Sequence, residues 1–371
     1  MGGQDRFNAN QVNVDALIDV PSPGLLIHPA TIAANIDRMI EIVGGPQHAD
    51  RIRPHVKTHK MAELVRMQTA AGIHRFKAAT LAEAEMVAVA GGRDVLIAYP
   101  MVGPNLKRLA ELRDCYRSTL FSVITDNIDG CEMLSATFSD SARPLGVFID
   151  VNGGMHRTGI MFGPDLDRLR SKIESTVGLN YNGLHIYDGH IHAPSLSQRA
   201  ERAHRIIETV KVYDRRNPSQ QIIAGGAPTF AIWADHTAYQ CSPGTPLLWD
   251  INYEDSYPDL KFNIAAVLLT RVVSKPAANR LCLDLGHKAV ASEMPLEKRI
   301  RLPELPDANL VGHNEEHLII ETPRADEFPL GRELIALPTH ICPSVALHAY
   351  ATVLKNGKAT SERWPVTARD R

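Results

Sequence analysis

The stretch Arg75–Tyr99, RFKAATLAEAEMVAVAGGRDVLIAY, carries the pattern that decides the fold. Apolar runs at its two ends predict strands. Between them, Thr80 and Glu83 form a capping box, in which the hydroxyl and the carboxylate satisfy the first free N–H groups of a helix. Gly91-Gly92 predicts the end of that helix. The stretch therefore predicts one strand–helix–strand unit.

The same pattern recurs through the first two thirds of the chain. Short apolar runs, most of them followed by a polar or glycine-rich segment and a helix-like stretch, predict eight strands: 52–57, 75–79, 95–99, 120–125, 145–151, 183–187, 221–224 and 239–241. Eight strands that alternate with helices predict an α/β fold of the (β/α)8 TIM-barrel type. A doubly wound sheet is the alternative, but the glycine-rich loop that usually follows its first strand is missing from the sequence.

The residue pattern changes after about residue 246, where helical periodicity weakens and Pro and Gly become frequent. Strand-like runs occur at 267–273, 280–285, 318–321 and 333–337. We therefore predict a second, mainly β domain that follows the barrel and extends to residue 371.

Composition excludes several classes of protein. The 40 Lys and Arg residues balance 42 Asp and Glu residues, which argues against a nucleic-acid binder or a basic membrane-surface protein. No apolar run reaches the roughly 18 residues of a membrane span, and the polar N-terminus predicts no secretory signal. The 5 cysteines are widely spaced without a C-x-x-C motif, which fits a reducing compartment. We expect a soluble, cytoplasmic protein.

The first predicted strand ends in RPHVKTHK, residues 53–60. In TIM barrels the chemistry lies at this end of the strands. If the extended run continues, His55, Lys57 and His59 share one face, because side chains alternate along a strand. Burial and cationic neighbours favour the uncharged, nucleophilic form of a lysine, so Lys57 is a candidate for a Schiff base. A solvent-facing basic loop is the alternative.

Two glycine-bearing loops follow the seventh and eighth predicted strands. They contain Gly225 and Gly226 in AGGAPT and Thr245 in SPGT. Backbone N–H groups at such glycines can approach an anion, and these two loops are the usual phosphate site of the barrel. Ordinary turns are the alternative. A reactive lysine combined with a phosphate site suggests pyridoxal phosphate, which needs both.

Two further side chains follow predicted strands. Arg157 lies in the glycine-rich loop after the fifth strand, where it can reach the far side of a cofactor or remain a surface arginine. Tyr187 closes the sixth strand, where it can stack on a cofactor or simply pack against its neighbours.

His340 and Cys342 stand out in the β domain. At positions i and i+2 of an extended segment they share one face, and imidazole with thiolate suits Zn²⁺. Water, substrate or the segment Asn314–His317 could complete the coordination. A buried free cysteine beside a hydrogen-bonded histidine is the alternative.

Taken together, these motifs resemble the metal-dependent D-threonine aldolase / D-serine dehydratase family, which comprises alanine-racemase-like, fold-type III pyridoxal phosphate enzymes. The resemblance rests on RPHVKTHK, the Asp150–Gly159 loop, Gly225-Gly226, Pro243-Gly244-Thr245, Asp284–Lys288, Glu316-His317 and the His340-x-Cys342 pair. It implies a homodimer. It also implies a barrel over residues 30–246 and a β domain built from residues 1–29 and 247–371.

The resemblance also implies roles for single residues. Lys57 corresponds to the Schiff-base lysine, His59 to an imidazole near the substrate hydroxyl, and Arg157 to the arginine that faces the pyridine nitrogen. The expected phosphate contacts, with Tyr187 beside them, are Gly225, Gly226 and Thr245. The expected metal ligands are His340 and Cys342.

Two reactions of β-hydroxy D-amino acids follow from such a site. Dehydration yields an α-keto acid and ammonia, whereas retro-aldol cleavage yields glycine and an aldehyde. Dehydratase-like members resemble this chain in their His-x-Cys pair, which favours zinc. Aldolase-like members tend to carry Asp at the second position and prefer Mn²⁺ or a similarly hard ion such as Mg²⁺. The resemblance therefore favours a D-serine-type dehydratase, with D-threonine-type cleavage as the alternative.

Two other functions of the same fold remain open. An amino-acid racemase needs a second base, usually a Tyr in a Tyr-Gly-rich segment of the β domain, and no such segment is visible. A non-catalytic pyridoxal phosphate carrier usually consists of the barrel alone. The sequence leaves open the preferred D-amino acid, the physiological metal and the pathway.

Overall fold

The computed structural model describes residues 12–140, 142–216 and 221–370. These residues form two compact units. A β unit comprises residues 12–36, 58–61 and 245–369, and a barrel unit comprises the described residues of 37–57 and 62–244, with Asp370. The division differs from the predicted domain ranges because 58–61 and the start of the first long helix group with the β unit. The predicted ranges also include residues 1–11 and 371, which lie outside the described residues.

Strand β1 (Gly24–Ile27) comes first along the chain and belongs to the β unit. The next strands form a parallel sheet in chain order within the barrel unit: β2 (Arg75–Ala78), β3 (Asp94–Ile97), β4 (Leu120–Thr125), β5 (Leu145–Val151), β6 (Leu179–Ile186), β7 (Gln221–Ala224) and β8 (Gln240–Cys241). Their order and parallel direction confirm the predicted fold class.

The predicted first barrel strand, 52–57, is reduced to two isolated bridges. Ile52 pairs in parallel with Cys241 of β8, and His55 pairs in parallel with Lys77 of β2. The segment thereby joins the two edges of the seven-stranded sheet. The N–H of His55 donates to the carbonyl of Pro243 at 2.8 Å, already beyond the end of the short strand β8.

The chain then turns. Val56–Thr58 is one turn of 3-10 helix. Lys57 and His59 therefore do not continue an extended run, and the prediction that they share one strand face with His55 is wrong. The turn instead places Lys57 at the end of the barrel segment, where its side chain is exposed.

Helices alternate with the strands: α1 (Pro29–Ile42), α2 (Ala62–Ala70), α3 (Leu81–Val89), α4 (Pro104–Cys115), α5 (Ile128–Thr137), α6 (Pro164–Ser175), α7 (Leu196–Asp214) and α8 (Phe230–Ala234). The capping box of α3 forms with one change. The Thr80 hydroxyl accepts from the N–H of Glu83 at 3.1 Å, but the Glu83 carboxylate accepts from the N–H of Ala79, at 2.6 Å.

The interior of the barrel is apolar at its centre. Leu96, Ile124, Phe148 and Ile223, from four of the strands, form a cluster whose members are at most 3% exposed. Such layers of inward side chains fill a TIM barrel and leave space for a ligand only at its mouth.

The β unit is built on β1, which pairs antiparallel with β9 (Ala266–Ala277) and parallel with β15 (Tyr350–Lys355). Its other elements are α9 (Ile251–Ser256), β10 (Arg280–Leu283), β11 (Ile300–Arg301), β12 (Asn309–His313), β13 (Leu318–Glu321), β14 (Glu333–Pro338), α10 (Ile341–Leu347) and β16 (Lys358–Pro365). The predicted mainly β second domain is confirmed. Among the helices that the structure describes, none is both long and apolar enough to cross a membrane.

Candidate active site

The ends of the barrel strands line a cavity of 520 Å³. Its wall includes Lys57, Arg157 and Tyr187, so the structure brings together three of the side chains that the sequence predicted. It also includes Asp150 and His185, which the sequence did not single out. Their only signal was their position near the ends of predicted strands. The cavity lies where TIM barrels carry their chemistry.

Three cationic groups surround the half-buried ring of Tyr187. The Lys57 Nζ is 5.9 Å from the ring centroid, the Arg157 guanidinium 5.4 Å and the Lys77 Nζ 5.8 Å. These distances are within the range of cation–π attraction. Lys77 was missed, because a single lysine within an apolar run is typical of an outward-facing strand position. The resulting positive field favours an anionic ligand.

His185 and Asp150 form a buried pair in the cavity wall. The Nδ1 atom of His185 is 2.7 Å from Oδ1 of Asp150, and the Thr158 hydroxyl donates to Oδ2 of Asp150 at 2.8 Å. Burial lowers the pKa of His185, although the hydrogen bond to Asp150 opposes the shift. The ring is therefore neutral near pH 7, with its proton on the nitrogen that faces the carboxylate.

The glycine turn after β7 fits closely against its surroundings. Gly225 has a φ of +83°, and a Cβ there would lie 2.7 Å from Cδ1 of Trp233. A Cβ on Gly226 would lie 3.1 Å from Cε2 of Tyr187. The N–H of Gly225 donates to Ile186 and that of Gly226 to the Thr229 hydroxyl. The predicted role of both glycines as phosphate contacts stays a prediction.

The barrel residues fit pyridoxal phosphate by their chemistry. The cofactor carries an aldehyde and a phosphate, and the cavity offers an exposed lysine amine within a cluster of cations. The turn at Gly225 also leaves no room for a side chain. Thr245, the third predicted phosphate contact, belongs to the β unit.

His340 and Cys342 lie at the start of a helix, so the prediction that they share a face of an extended segment is wrong. His340 is the N-cap of α10, and Cys342 lies in its first turn. The helix begins here because the N–H of Ile341 donates to Oδ2 of Asp250 at 3.1 Å, a contact across 91 residues. Such a contact leaves no local signal in the sequence.

The two candidate metal ligands have distinct neighbours. Nδ1 of His340 is 2.5 Å from Oε1 of Glu293, which leaves Nε2 for a metal. The Cys342 thiol is 3.2 Å from the Thr58 hydroxyl and 4.0 Å from that of Thr245. Burial disfavours a charged His340, but Cys342 and Glu293 outweigh it and raise its pKa to about 9.

The pair offers an incomplete set of protein ligands. Within the described ranges, no group of three or more His, Cys, Asp and Glu side chains is arranged to hold a metal. Glu315 and Glu316, from the segment considered as a further source of ligands, pair with Lys288 instead. Imidazole and thiolate suit zinc, and coordination positions that the protein leaves open suit a catalytic ion.

His59 is 1% exposed and is not among the residues that line the cavity. Its Nδ1 accepts from the N–H of Met61 at 3.2 Å, and burial lowers its pKa to about 3. The ring is therefore neutral, with its proton on Nε2. The predicted catalytic role of His59 stays a prediction.

Comparisons with known proteins cover most of the chain. Residues 27–245 match the family model described as the alanine racemase N-terminal domain, and residues 265–354 match the putative serine dehydratase domain. A D-threonine aldolase from Arthrobacter is 28% identical over 96% of this chain and 94% of its own. A D-threo-3-hydroxyaspartate dehydratase from Delftia is 25% identical over 92% of this chain and 97% of its own.

The fold agrees with these matches. The crystal structure of D-threonine aldolase from Filomicrobium marinum superposes with a TM-score of 0.84 at 25% identity, over 95% of this chain and 97% of that one. The alanine-racemase-like fold is thereby confirmed. The chain belongs to the D-threonine aldolase / D-serine dehydratase family of alanine-racemase-like proteins, and it is a lyase.

Proposed function

We propose that this chain is a pyridoxal phosphate- and metal-dependent lyase of β-hydroxy D-amino acids, and that it dehydrates a D-serine-type substrate to an α-keto acid and ammonia. The observation that carries the proposal is the convergence of Lys57 and Arg157 on Tyr187 in the barrel cavity, at 5.9 and 5.4 Å from the ring centroid. An amine and a permanent cation beside one aromatic ring match the needs of this cofactor.

Lys57, Arg157 and Tyr187 would hold the cofactor, together with Gly225, Gly226 and Thr245. When bound, pyridoxal phosphate supplies an electron sink for charge that develops at the substrate α-carbon. Lys57 then takes the α-proton on its Nζ atom. An arginine guanidinium is a permanent cation that does not give a proton to the ring nitrogen. The sink is therefore weakened, and a second source of charge stabilisation is needed.

His340 and Cys342 would hold a metal ion, and this ion would supply the second source as a Lewis acid for charge on the β-oxygen. The thiolate of Cys342 favours zinc over harder ions. Glu293 fixes the His340 ring through Nδ1 and thereby leaves Nε2 for the metal. Such a site favours departure of the β-hydroxyl, which is the step that dehydration requires.

Retro-aldol cleavage to glycine and an aldehyde is the second candidate, because the D-threonine aldolase from Arthrobacter matches nearly the whole chain. That reaction needs a base to remove the proton of the β-hydroxyl. The hydrogen bond from Met61 to Nδ1 of His59 leaves this ring as a donor. The hydrogen bond at Nδ1 of His59 therefore favours dehydration over cleavage.

The cofactor proposal is tested by absorbance spectroscopy of the purified chain with added pyridoxal phosphate. We expect a Schiff-base band in the wild type that vanishes in Lys57→Ala. Lys211→Ala, at a surface lysine of α7 that pairs with Glu208, is the matched control and should keep the band. A wild type without the band, or a band that survives in Lys57→Ala, contradicts the proposal.

The metal proposal is tested by measuring bound zinc and turnover in Cys342→Ala. We expect both to be lost while the cofactor band remains, and a chelator should abolish wild-type turnover until zinc is restored. Cys115→Ala, at an exposed cysteine, is the control and should retain metal and activity. Full zinc content in Cys342→Ala rules out this site.

A further inference from the structure

Lys77 of β2 is a buried lysine behind the cavity wall. It is 3% exposed and is not among the residues that line the cavity. Its Nζ is 3.4 Å from Nε2 of His185 and 5.8 Å from the centroid of the Tyr187 ring. Lysines are almost never buried without a partner, so the contacts of Lys77 with His185 and Tyr187 require a physical explanation.

His185 lies between Lys77 and Asp150. The 2.7 Å bond from Nδ1 to Asp150 places the ring proton on that nitrogen, which leaves Nε2 as the acceptor that faces Lys77. The second oxygen of Asp150 accepts from Thr158 at 2.8 Å. Lys77 therefore donates to His185, and His185 and Thr158 both donate to Asp150, so each donor is matched to an acceptor.

The charges around His185 oppose its protonation. Burial lowers its pKa first, and Lys77 and Arg157 contribute in the same direction, whereas Asp150 raises it. The Lys77 ammonium thus offsets the carboxylate that would otherwise attract a second ring proton. Without Lys77, His185 and Asp150 would form an ordinary histidine–aspartate pair.

Lys77 itself is set close to neutrality by its surroundings. Burial first, and the cations Lys57 and Arg53 after it, lower its pKa to about 7. The carboxylates Asp150 and Asp188 oppose it. Lys77 therefore gains its charge on acidification, under the conditions in which His185 would otherwise take up a proton.

We propose that Lys77 is a positioning residue of the active site, which holds His185 in a single neutral tautomer and keeps the cavity wall uncharged at that position. The charge state of His185 is a property of the chain without ligand. Only its effect on turnover rests on the proposed function.

The test is a pH titration of His185 by NMR in the full-length chain labelled at its histidine rings, with the signal assigned by its loss in His185→Gln. In Lys77→Met, and in Lys77→Gln as a second variant, we expect the midpoint to rise by about one unit or more. Lys77→Arg keeps a cation and should hold the wild-type value. Lys211→Met should leave the midpoint unchanged.

The pH profile of kcat/KM provides a second measurement. We expect its acidic limb to move to higher pH in Lys77→Met and to return in Lys77→Arg. If the proposed lyase function is wrong, no variant turns over β-hydroxy D-amino acids but the NMR shift persists. If Lys77→Met and Lys77→Gln both fold and His185 titrates in them as it does in the wild type, the positioning role of Lys77 is overturned.

Discussion

The positive charge of the barrel cavity is concentrated at one aromatic ring. Lys57, Lys77 and Arg157 place cationic groups 5.4 to 5.9 Å from the centroid of Tyr187. Asp150, the carboxylate of the wall, is engaged by His185 and Thr158. Because gathered like charges repel one another, the free protein carries electrostatic strain that an anionic ligand relieves. Stability and ligand binding are therefore coupled at these side chains.

This coupling predicts a pH-dependent stability for Lys77→Met. The pKa of Lys77 falls from 10.5 to about 7 on folding, so the unfolded chain binds more protons between these values. The contribution of Lys77 to the free energy of unfolding of the wild type therefore rises with pH between about 7 and 10.5. We expect the stability advantage of Lys77→Met to be largest near pH 7 and to shrink by pH 9.5. Urea unfolding at the two pH values measures it, with Lys211→Met as control. A difference that is independent of pH contradicts the assignment.

Gly225 allows a second prediction with a matched control. Gly225 and Gly331 both have a φ of +83°, but a Cβ on Gly225 would lie 2.7 Å from Trp233, whereas nothing lies within 4 Å of one on Gly331. Gly331→Ala should cost about 1 kcal/mol of unfolding free energy from backbone strain alone. Gly225→Ala should cost about 1 to 3 kcal/mol more because of the clash, and it should weaken pyridoxal phosphate binding. Equal losses in urea unfolding contradict this account.

Among the elements, the segment 52–55 closes the barrel, because it bridges the two edges of the parallel sheet. Arg53 in this segment is fully buried and forms a two-pronged ion pair with Asp94 at the start of β3, at 2.7 and 2.8 Å. Its Nε also donates to Gln240 of β8. The side chain thus reinforces the closure that the backbone bridges of Ile52 and His55 provide.

Arg53→Met should therefore lower the free energy of unfolding by about 2 to 3 kcal/mol. This is somewhat less than the cost of breaking a fully buried ion pair, because the Asp94 side chain is 24% exposed. Arg75→Met is the matched control. Arg75 is 3.9 Å from the same carboxylate but is 36% exposed, so its loss should cost at most about 1 kcal/mol. Denaturant unfolding of both variants measures the difference, and an equal effect contradicts the role of Arg53 in closure.

How far the sequence predicts these elements depends on the range of the deciding interaction. Strands β4, β5 and β7 match the predicted ranges, because their buried apolar runs are local signals. The first barrel strand was predicted too long, because its ladder ends where its neighbour β8 ends. The helix at Ile341 was missed because Asp250 caps it from 91 residues away.

The same distinction applies to the site. Lys57, Arg157 and Tyr187 could be predicted because each follows a strand at the mouth of a barrel. Lys77 and His185 could not, because only the closed sheet decides which side chains of a strand face inward. The partner of His340, Glu293, is likewise set by tertiary structure.

At the scale of the whole molecule, we expect a homodimer, as the family resemblance implies. Tyr99 and Val102 line the cavity yet are 57% and 52% exposed, which a covering subunit would relieve. Light scattering should give about twice the mass of one chain. Val102→Glu should shift the measured mass towards that of the monomer. Val177→Glu, at a 65% exposed valine outside the cavity lining, is the control. An active wild-type monomer at assay concentration contradicts the expectation.

The central claim is a dehydratase reaction at the Lys57 cavity with zinc held by His340 and Cys342. Its most direct test is incubation of the zinc-loaded, pyridoxal phosphate-loaded enzyme with D-serine, D-threonine and D-3-hydroxyaspartate, with keto acid and ammonia measured against glycine and aldehyde. The account predicts keto acid and ammonia in equal amounts, and none in Lys57→Ala. Glycine and aldehyde as the main products, or no product from any of the three substrates, would contradict it.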